Sequence, residues 1–197
     1  MDQTMTGVRR FAQWGLWFGG ALVLLAAVLI GIDVLMRKFL NRSIGGADEL
    51  AGYALAIGTA WGLGAALLDR AHIRIDSLYV LFPQKLRLAL DLAALLSFVG
   101  FFGLTLWHGL GVVSQSWTSG SRSQSALETP TVIPQVLWIV GLAAFVVVGL
   151  VLLVQALRVG FSGDLRGMAK MISTRSAEEE VEEEIRDLKN RQTGGGN

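Results

Sequence analysis

Four apolar stretches, each long enough to cross a lipid bilayer, decide what this chain can become: Trp14–Met36, Ala47–Leu68, Leu86–Val113 and Pro134–Leu157. A helix rises about 1.5 Å per residue, so about 20 residues span a hydrocarbon core of roughly 30 Å. A soluble protein of 197 residues has no core large enough to hide four such segments. The expected fold class is therefore an all-α membrane protein. That narrows function to transport, membrane redox chemistry or the scaffolding of a larger membrane complex.

Composition agrees: 52% of residues are hydrophobic and only 17% charged, with a mean hydropathy of +0.51. A net charge of +1 points to no nucleic-acid partner, and the absence of cysteine removes disulfides and thiolate metal sites from consideration. The first stretch exceeds the 7–15 residues of a signal-peptide core and no A-x-A pattern closes it, so a retained helix is expected. Two parts follow: a four-helix transmembrane domain at 1–160 and a cytoplasmic tail at 161–197.

Basic residues set the expected orientation. Thirteen of the 17 lysines and arginines fall in the N-terminal segment, the second loop and the tail; only Arg37, Lys38, Arg42 and Arg122 fall in the first and third loops. Both termini should then be cytoplasmic (N-in/C-in). Arg9 and Arg10, followed by Phe11, Trp14 and Trp17, form an interfacial anchor in which arginines reach headgroups and indoles sit at the boundary.

Small residues predict where helices meet. Gly58, Gly62 and Ala66 share one face of the second stretch, and Gly15 and Gly19 make a similar pair in the first. Such faces admit a neighbouring backbone where lipid offers no hydrophobic drive to association. Between Asp69 and Lys85, apolar Ile73, Ile75, Leu78, Tyr79, Leu81 and Phe82 mix with charges, predicting a short amphipathic cytoplasmic segment ended near Pro83. Ser114–Ile133 reads as a polar, flexible loop, with Pro134 in the first turn of the last helix. In the tail, Val181, Ile185 and Leu188 follow acidic residues, predicting either an amphipathic helix at 177–190 or a solvated acidic tail.

Ionisable groups within membrane helices are costly and each is a functional candidate. Asp33 stands four residues before Arg37, where an i,i+4 ion pair is available. Asp48 and Glu49 open the second helix, where the dipole favours acids; lying about 100° apart, at most one of them faces any single partner. Asp91 stands four residues after Arg87, where a second pair is available. His72 and His108, the only histidines, belong to a cytoplasmic loop and to the opposite end of the third helix, so they do not make a bis-histidine haem site. No catalytic, cofactor-binding or metal-ligating constellation is evident.

One combination of motifs is more specific. Ala-Asp-Glu-Leu at 47–50 opens the second helix. Trp61, Gly64 and Ala65 lead into His72-Ile73-Arg74-Ile75-Asp76, and Ser125, Leu127 and Pro130 approach the fourth helix. In this order, over about residues 10–158, the chain resembles the small membrane subunit (DctQ type) of the tripartite ATP-independent periplasmic (TRAP) transporters. The resemblance implies a non-catalytic subunit in a bacterial inner membrane. Its partners would be a large membrane subunit, a periplasmic substrate-binding protein and the lipid bilayer, and the system would import organic acids on an ion gradient, sodium by the family pattern.

By that resemblance Asp48 and Glu49 orient the second helix or touch the large subunit, and His72, Arg74 and Asp76 fix the cytoplasmic loop. Gly58, Gly62, Trp61 and Pro130 are structural or subunit-contact candidates. Arg37, Lys38, Arg42 and Arg122 face the binding protein. The alternative is a membrane scaffold or assembly protein unrelated to transport, which needs neither the acidic pair nor the histidine loop.

Overall fold

The computed structural model describes residues 3–69 and 82–172, together with Ile185 and Leu188. Over this range the chain is helical, with a single isolated bridge between Arg122 and Pro130 as its only extended pairing among the described residues. Five helices appear: α1 (Gln3–Leu40), α2 (Ala47–Leu68), α3 (Gln84–Ser119), α4 (Val132–Phe161) and α5 (Leu165–Ile172). The first four are each long and apolar enough to cross a membrane.

Two of these helices outrun the apolar stretches. α3 continues through the polar run after Val113 to Ser119, and there the Thr118 hydroxyl donates to the Ser114 carbonyl, 3.1 Å away. The helix then stops on Gly120 at φ 61. There Ser121 N–H reaches Ser116 O at 3.2 Å and Gly120 N–H reaches Trp117 O at 3.4 Å, a Schellman ending that uses the last free carbonyls. The open loop expected at Ser114–Ile133 is thus only its second half, and that half is hydrogen-bonded. Pro134 does fall in the first turn of α4, where its missing N–H costs nothing.

Adjacent helices run in the order α1, α2, α4, α3, so the membrane part is a row with α4 inside it. α4 earns that position through its composition, apolar on every side. Leu142, Phe145, Val148, Leu152 and Ala156 are buried on it. Phe102 of α3 packs edge-on to Phe145 at 4.7 Å, and Val99 fits against Gly149. The end helices α1 and α3 keep broad apolar faces outward; Trp14 and Trp17 on α1 are 77% and 79% exposed, as an interfacial anchor requires.

Glycine decides the α1–α2 contact. A Cβ on Gly58 would lie 2.8 Å from the Gly19 carbonyl oxygen, and one on Gly15 would lie 2.7 Å from the Trp61 carbonyl oxygen. The two backbones therefore touch, and the Gly15/Gly19 face does what its spacing predicted. On α2 the stripe is narrower than expected: Gly62 meets only the Leu16 side chain at 3.7 Å, while the buried Gly64, two residues on, faces Ala12 and Val148.

Trp61 joins three helices. Its ring stands edge-on to Phe18 of α1 at 5.2 Å, fills the space left by Gly141 of α4, and donates Nε1–H to the Leu137 carbonyl at 3.0 Å. Trp61→Phe keeps most of the packing and loses that bond. It should lower stability by about 0.5–1.5 kcal/mol, visible as a reduced melting temperature in detergent.

The tail beyond α4 begins with structure that periodicity had not flagged. Asp164 accepts the Gly167 N–H at 2.8 Å and so caps α5. Met168 of α5 is buried against Gly160, and Met171 and Ile172, like Met5 and Val8 of α1, pack against the hydrophobic core. The expected amphipathic segment inside the 69–85 loop lies outside the described residues, as does the acidic segment at 177–190 apart from Ile185 and Leu188.

Candidate functional site

One end of the row carries the α1–α2 and α3–α4 connections and is called here the head end; the other carries both helix termini. Polar contacts among the described residues concentrate at the head end, and they are built from Asp33 outward. Asp33 lies two turns before the end of α1 and is 2% exposed. Its carboxylate accepts the Ser43 hydroxyl at 2.9 Å and the Ile44 N–H at 2.7 Å, and Arg37 pairs with it at 2.5 Å. The i,i+4 ion pair is present, yet its larger consequence is local: the carboxylate folds the 41–46 connection back over α1.

That connection needs backbone that few residues adopt. Asn41 at φ 50 ends α1, and Gly46 at φ 89 precedes α2. At Gly46 a side chain would also strike the Leu127 side chain of the α3–α4 connection, so glycine is required there twice over. The two connections meet at this point.

The acidic pair divides as its angular separation predicted. Asp48 is exposed and comes within 3.7 Å of Arg37. Glu49 turns the other way: it accepts the Tyr53 hydroxyl at 2.7 Å and the Ser125 hydroxyl. Ser125 in turn accepts the Leu127 N–H at 3.1 Å. Ser123 Oγ lies 3.1 Å from Ser125 Oγ and accepts the Thr129 N–H at 3.2 Å. Arg122 donates to the Glu128 carbonyl at 3.2 Å beside the Arg122–Pro130 bridge, and Thr131 N–H reaches Ser121 O at 3.1 Å. The 120–131 segment is thus a closed hydrogen-bonded cap pinned to α2 by one glutamate.

The four candidate docking cations are not equivalent. Arg37 is committed to Asp33 and Asp48, and Arg122 to a carbonyl of its own loop. Lys38 extends over the Phe39 ring at 5.6 Å, and Arg42 is exposed. Pro130 sits in the cap, whereas Gly58, Gly62 and Trp61 belong to the helix contacts below it. His72, Arg74 and Asp76 lie outside the described residues. Asp91 is buried at the other end of α3, at 1% exposure, in contact with a partner.

Sequence reasoning missed Ser43, Ile44 and Ser123 as parts of this site, and nothing local marks the first two. Tyr53 was findable, since it stands four residues after Glu49 on the same helix face. Among the described residues no cluster of His, Cys, Asp and Glu is arranged to hold a metal ion. Chemically the arrangement is a rigid polar plate over an apolar row, with no polar track leading inward from it among the described residues.

A family model described as "Tripartite ATP-independent periplasmic transporters, DctQ component" matches residues 26–159, more than half of the chain. No curated protein and no solved structure matches it.

Proposed function

Because the chain belongs to the DctQ component family of the tripartite ATP-independent periplasmic transporters, a family of transporter subunits rather than of enzymes, we propose that it is the non-catalytic small permease subunit of a secondary, ion-driven importer of organic acids. In this reading it lies in a bacterial inner membrane with both termini cytoplasmic and the head end periplasmic. It forms one unit, residues 1–160, with 161–197 as its cytoplasmic tail, and holds a large membrane subunit in place while offering the head-end plate to a periplasmic binding protein. Sodium is the coupling ion proposed.

The family match carries this reading, and the architecture supports it. The helices form a row with exposed apolar faces on α1 and α3, suited to lying along a larger partner. The bias of lysine and arginine toward the termini and second loop supports the orientation. The Asp48–Glu49 pair and the His72, Arg74 and Asp76 loop are proposed to position these segments against the large subunit.

The decisive experiment is gentle extraction of the tagged chain with identification of what copurifies. A stoichiometric, much larger membrane subunit, together with loss of organic-acid uptake on deletion, is expected. A lone oligomer with uptake intact would sink the proposal and favour a scaffold unrelated to this transport.

Docking is testable residue by residue. Lys38→Glu, Arg42→Glu and Arg122→Glu should each weaken binding-protein association roughly two- to fivefold at low ionic strength. The loss should shrink as salt rises, because exposed charges are screened over about 10 Å at 0.1 M. Arg37→Glu is a poor probe, since it also breaks the Asp33 pair, and Arg122→Glu also removes the bond to the Glu128 carbonyl, so Lys38 and Arg42 give the cleaner tests. Titration of labelled binding protein at two salt concentrations checks this; affinities equal to wild type at both salt concentrations in all three variants would exclude these cations from the contact.

A further inference from the structure

At the end opposite the head, the row carries charge that its own packing does not use. Arg9 and Arg10 stand early in α1, and Arg158 stands in the last turn of α4. All three are exposed, and none makes a hydrogen bond or ion pair with a described residue. They belong to one patch. α1 touches α4 directly as well as through α2. Packed helix axes lie about 8–10 Å apart, so those of α1 and α4 are separated by no more than about 20 Å.

The chain delivers its own counter-charge to the same end. α5 packs against α4 with Met168 beneath Gly160, and its last residue, Ile172, packs against the hydrophobic core. Six residues later begins Glu178–Glu184, in which six of the seven residues are glutamate and none is a cation. Arg175 before the run and Arg186 after it leave most of that charge unanswered, whereas Ile185–Arg191 sets Arg186, Lys189 and Arg191 against Asp187 alone. Carboxylates crowded in this way repel one another. An extended chain covers at most about 3.6 Å per residue, so Glu178 lies within roughly 22 Å of Ile172 and the run reaches the patch.

We propose that the acidic run Glu178–Glu184 docks back on Arg9, Arg10 and Arg158. Being tethered, it meets them at a high effective concentration, in competition with the anionic headgroups that arginines at a membrane surface otherwise attract. The tail then acts as a charge screen. It withdraws the patch from anionic lipid and its own carboxylates from a surface of like charge. The contact is electrostatic rather than apolar, in keeping with Ile185 and Leu188, which stay 47% and 52% exposed. The inference rests on the fold and the charge pattern, so it stands or falls independently of the transporter reading.

A crosslink tests it, because the chain has no cysteine of its own. A side chain at Gly7, three residues before Arg10, meets no atom within 4 Å, and Ala177 directly precedes the acidic run. The full chain carrying Gly7→Cys and Ala177→Cys, with whatever partners it keeps, is returned to phosphatidylcholine vesicles and treated with a short bifunctional thiol reagent. The intramolecular crosslink should form at low salt and fall roughly three- to tenfold in 1 M salt, where screening acts beyond about 3 Å. Replacing the six glutamates by glutamine should lower it as much at low salt. No crosslink, or one indifferent to salt or to neutralisation, would overturn the proposal; in the second case the tether alone brings the segments together.

A second measurement separates the tail from lipid without altering the arginines. In vesicles containing phosphatidylglycerol, the glutamine variant should retain that lipid on extraction roughly threefold better than wild type, because its arginines are uncovered. Equal retention would show that the tail does not cover the patch, and would equally overturn the proposal. The substituted glutamates lie beyond α5, so neither readout depends on a change within the helical row.

Discussion

Gly58→Val is expected to cripple the chain, sharply lowering both its steady-state level in the membrane and its melting temperature in detergent. The reason is a backbone-to-backbone contact that no rotamer can relieve. A Cβ at Gly58 would sit 2.8 Å from the Gly19 carbonyl oxygen and 2.9 Å from Val23 Cγ2, so α1 and α2 must separate to admit it. Overpacking of this kind costs about 1–3 kcal/mol, and more where the obstacle is main chain.

Separation would also draw Trp61 away from Phe18, coupling the loss to the α4 side of the row. Two nearby glycines are the controls. Gly20→Ala meets nothing within 4 Å, and Gly62→Ala meets only the Leu16 side chain at 3.7 Å; both should be tolerated, with a gain of up to about 1 kcal/mol from the stiffer unfolded chain. Equal melting temperatures for Gly58→Val and Gly20→Ala would show that the close approach contributes nothing.

The second large effect is at Asp33. Asp33→Leu removes the acceptor for Ser43, Ile44 and Arg37 together, leaving a backbone N–H and a guanidinium without their partner. The 41–46 connection should then open while the helices below persist. Hydrogen–deuterium exchange is the appropriate readout: the peptide covering 41–46 should exchange on the order of tenfold faster or more, with α4 peptides unchanged. Asp33→Asn keeps an acceptor oxygen and should fall between. Asp48→Asn, on an exposed carboxylate 3.7 Å from Arg37, should leave exchange close to wild type. A wild-type exchange profile in Asp33→Leu would mean that the connection is held by something other than this carboxylate.

Because Gly46 abuts Leu127, and Glu49 holds Ser125, opening the first connection should also loosen the 120–131 cap. The proposed docking plate is therefore one mechanical unit built from two segments far apart in the chain. Binding-protein affinity in Asp33→Leu should fall even though no docking cation has been removed.

How much of this was legible beforehand depends on how far apart the interacting residues lie. The Asp33–Arg37 pair, the division of Asp48 from Glu49 and the Gly15/Gly19 face all follow from the helical repeat, a local property. The Glu49–Ser125 bond spans 76 residues, and no periodicity announces it; only the motif resemblance had put Ser125 and the acidic pair in one context. The α1–α2–α4–α3 order was equally hidden. In a soluble protein an apolar stripe identifies the buried side, but here lipid accepts the exposed side as readily, so hydropathy does not tell Leu142, which is buried, from Leu104, which is 64% exposed. α5 escaped because eight residues with two basic side chains look like tail until Met168 is seen beneath Gly160.

By itself, then, the sequence determined that there are four membrane helices, because segment length and apolar content must match a bilayer that has no other way to satisfy the backbone. It also determined which faces were small enough for close packing. Only the tertiary structure decided which helix lies inside the row, which glycine meets which backbone, and that two distant connections share one hydrogen-bonded plate. Those choices rest on the fit of side chains to one another and on the pairing of individual donors with individual acceptors, neither of which hydropathy encodes.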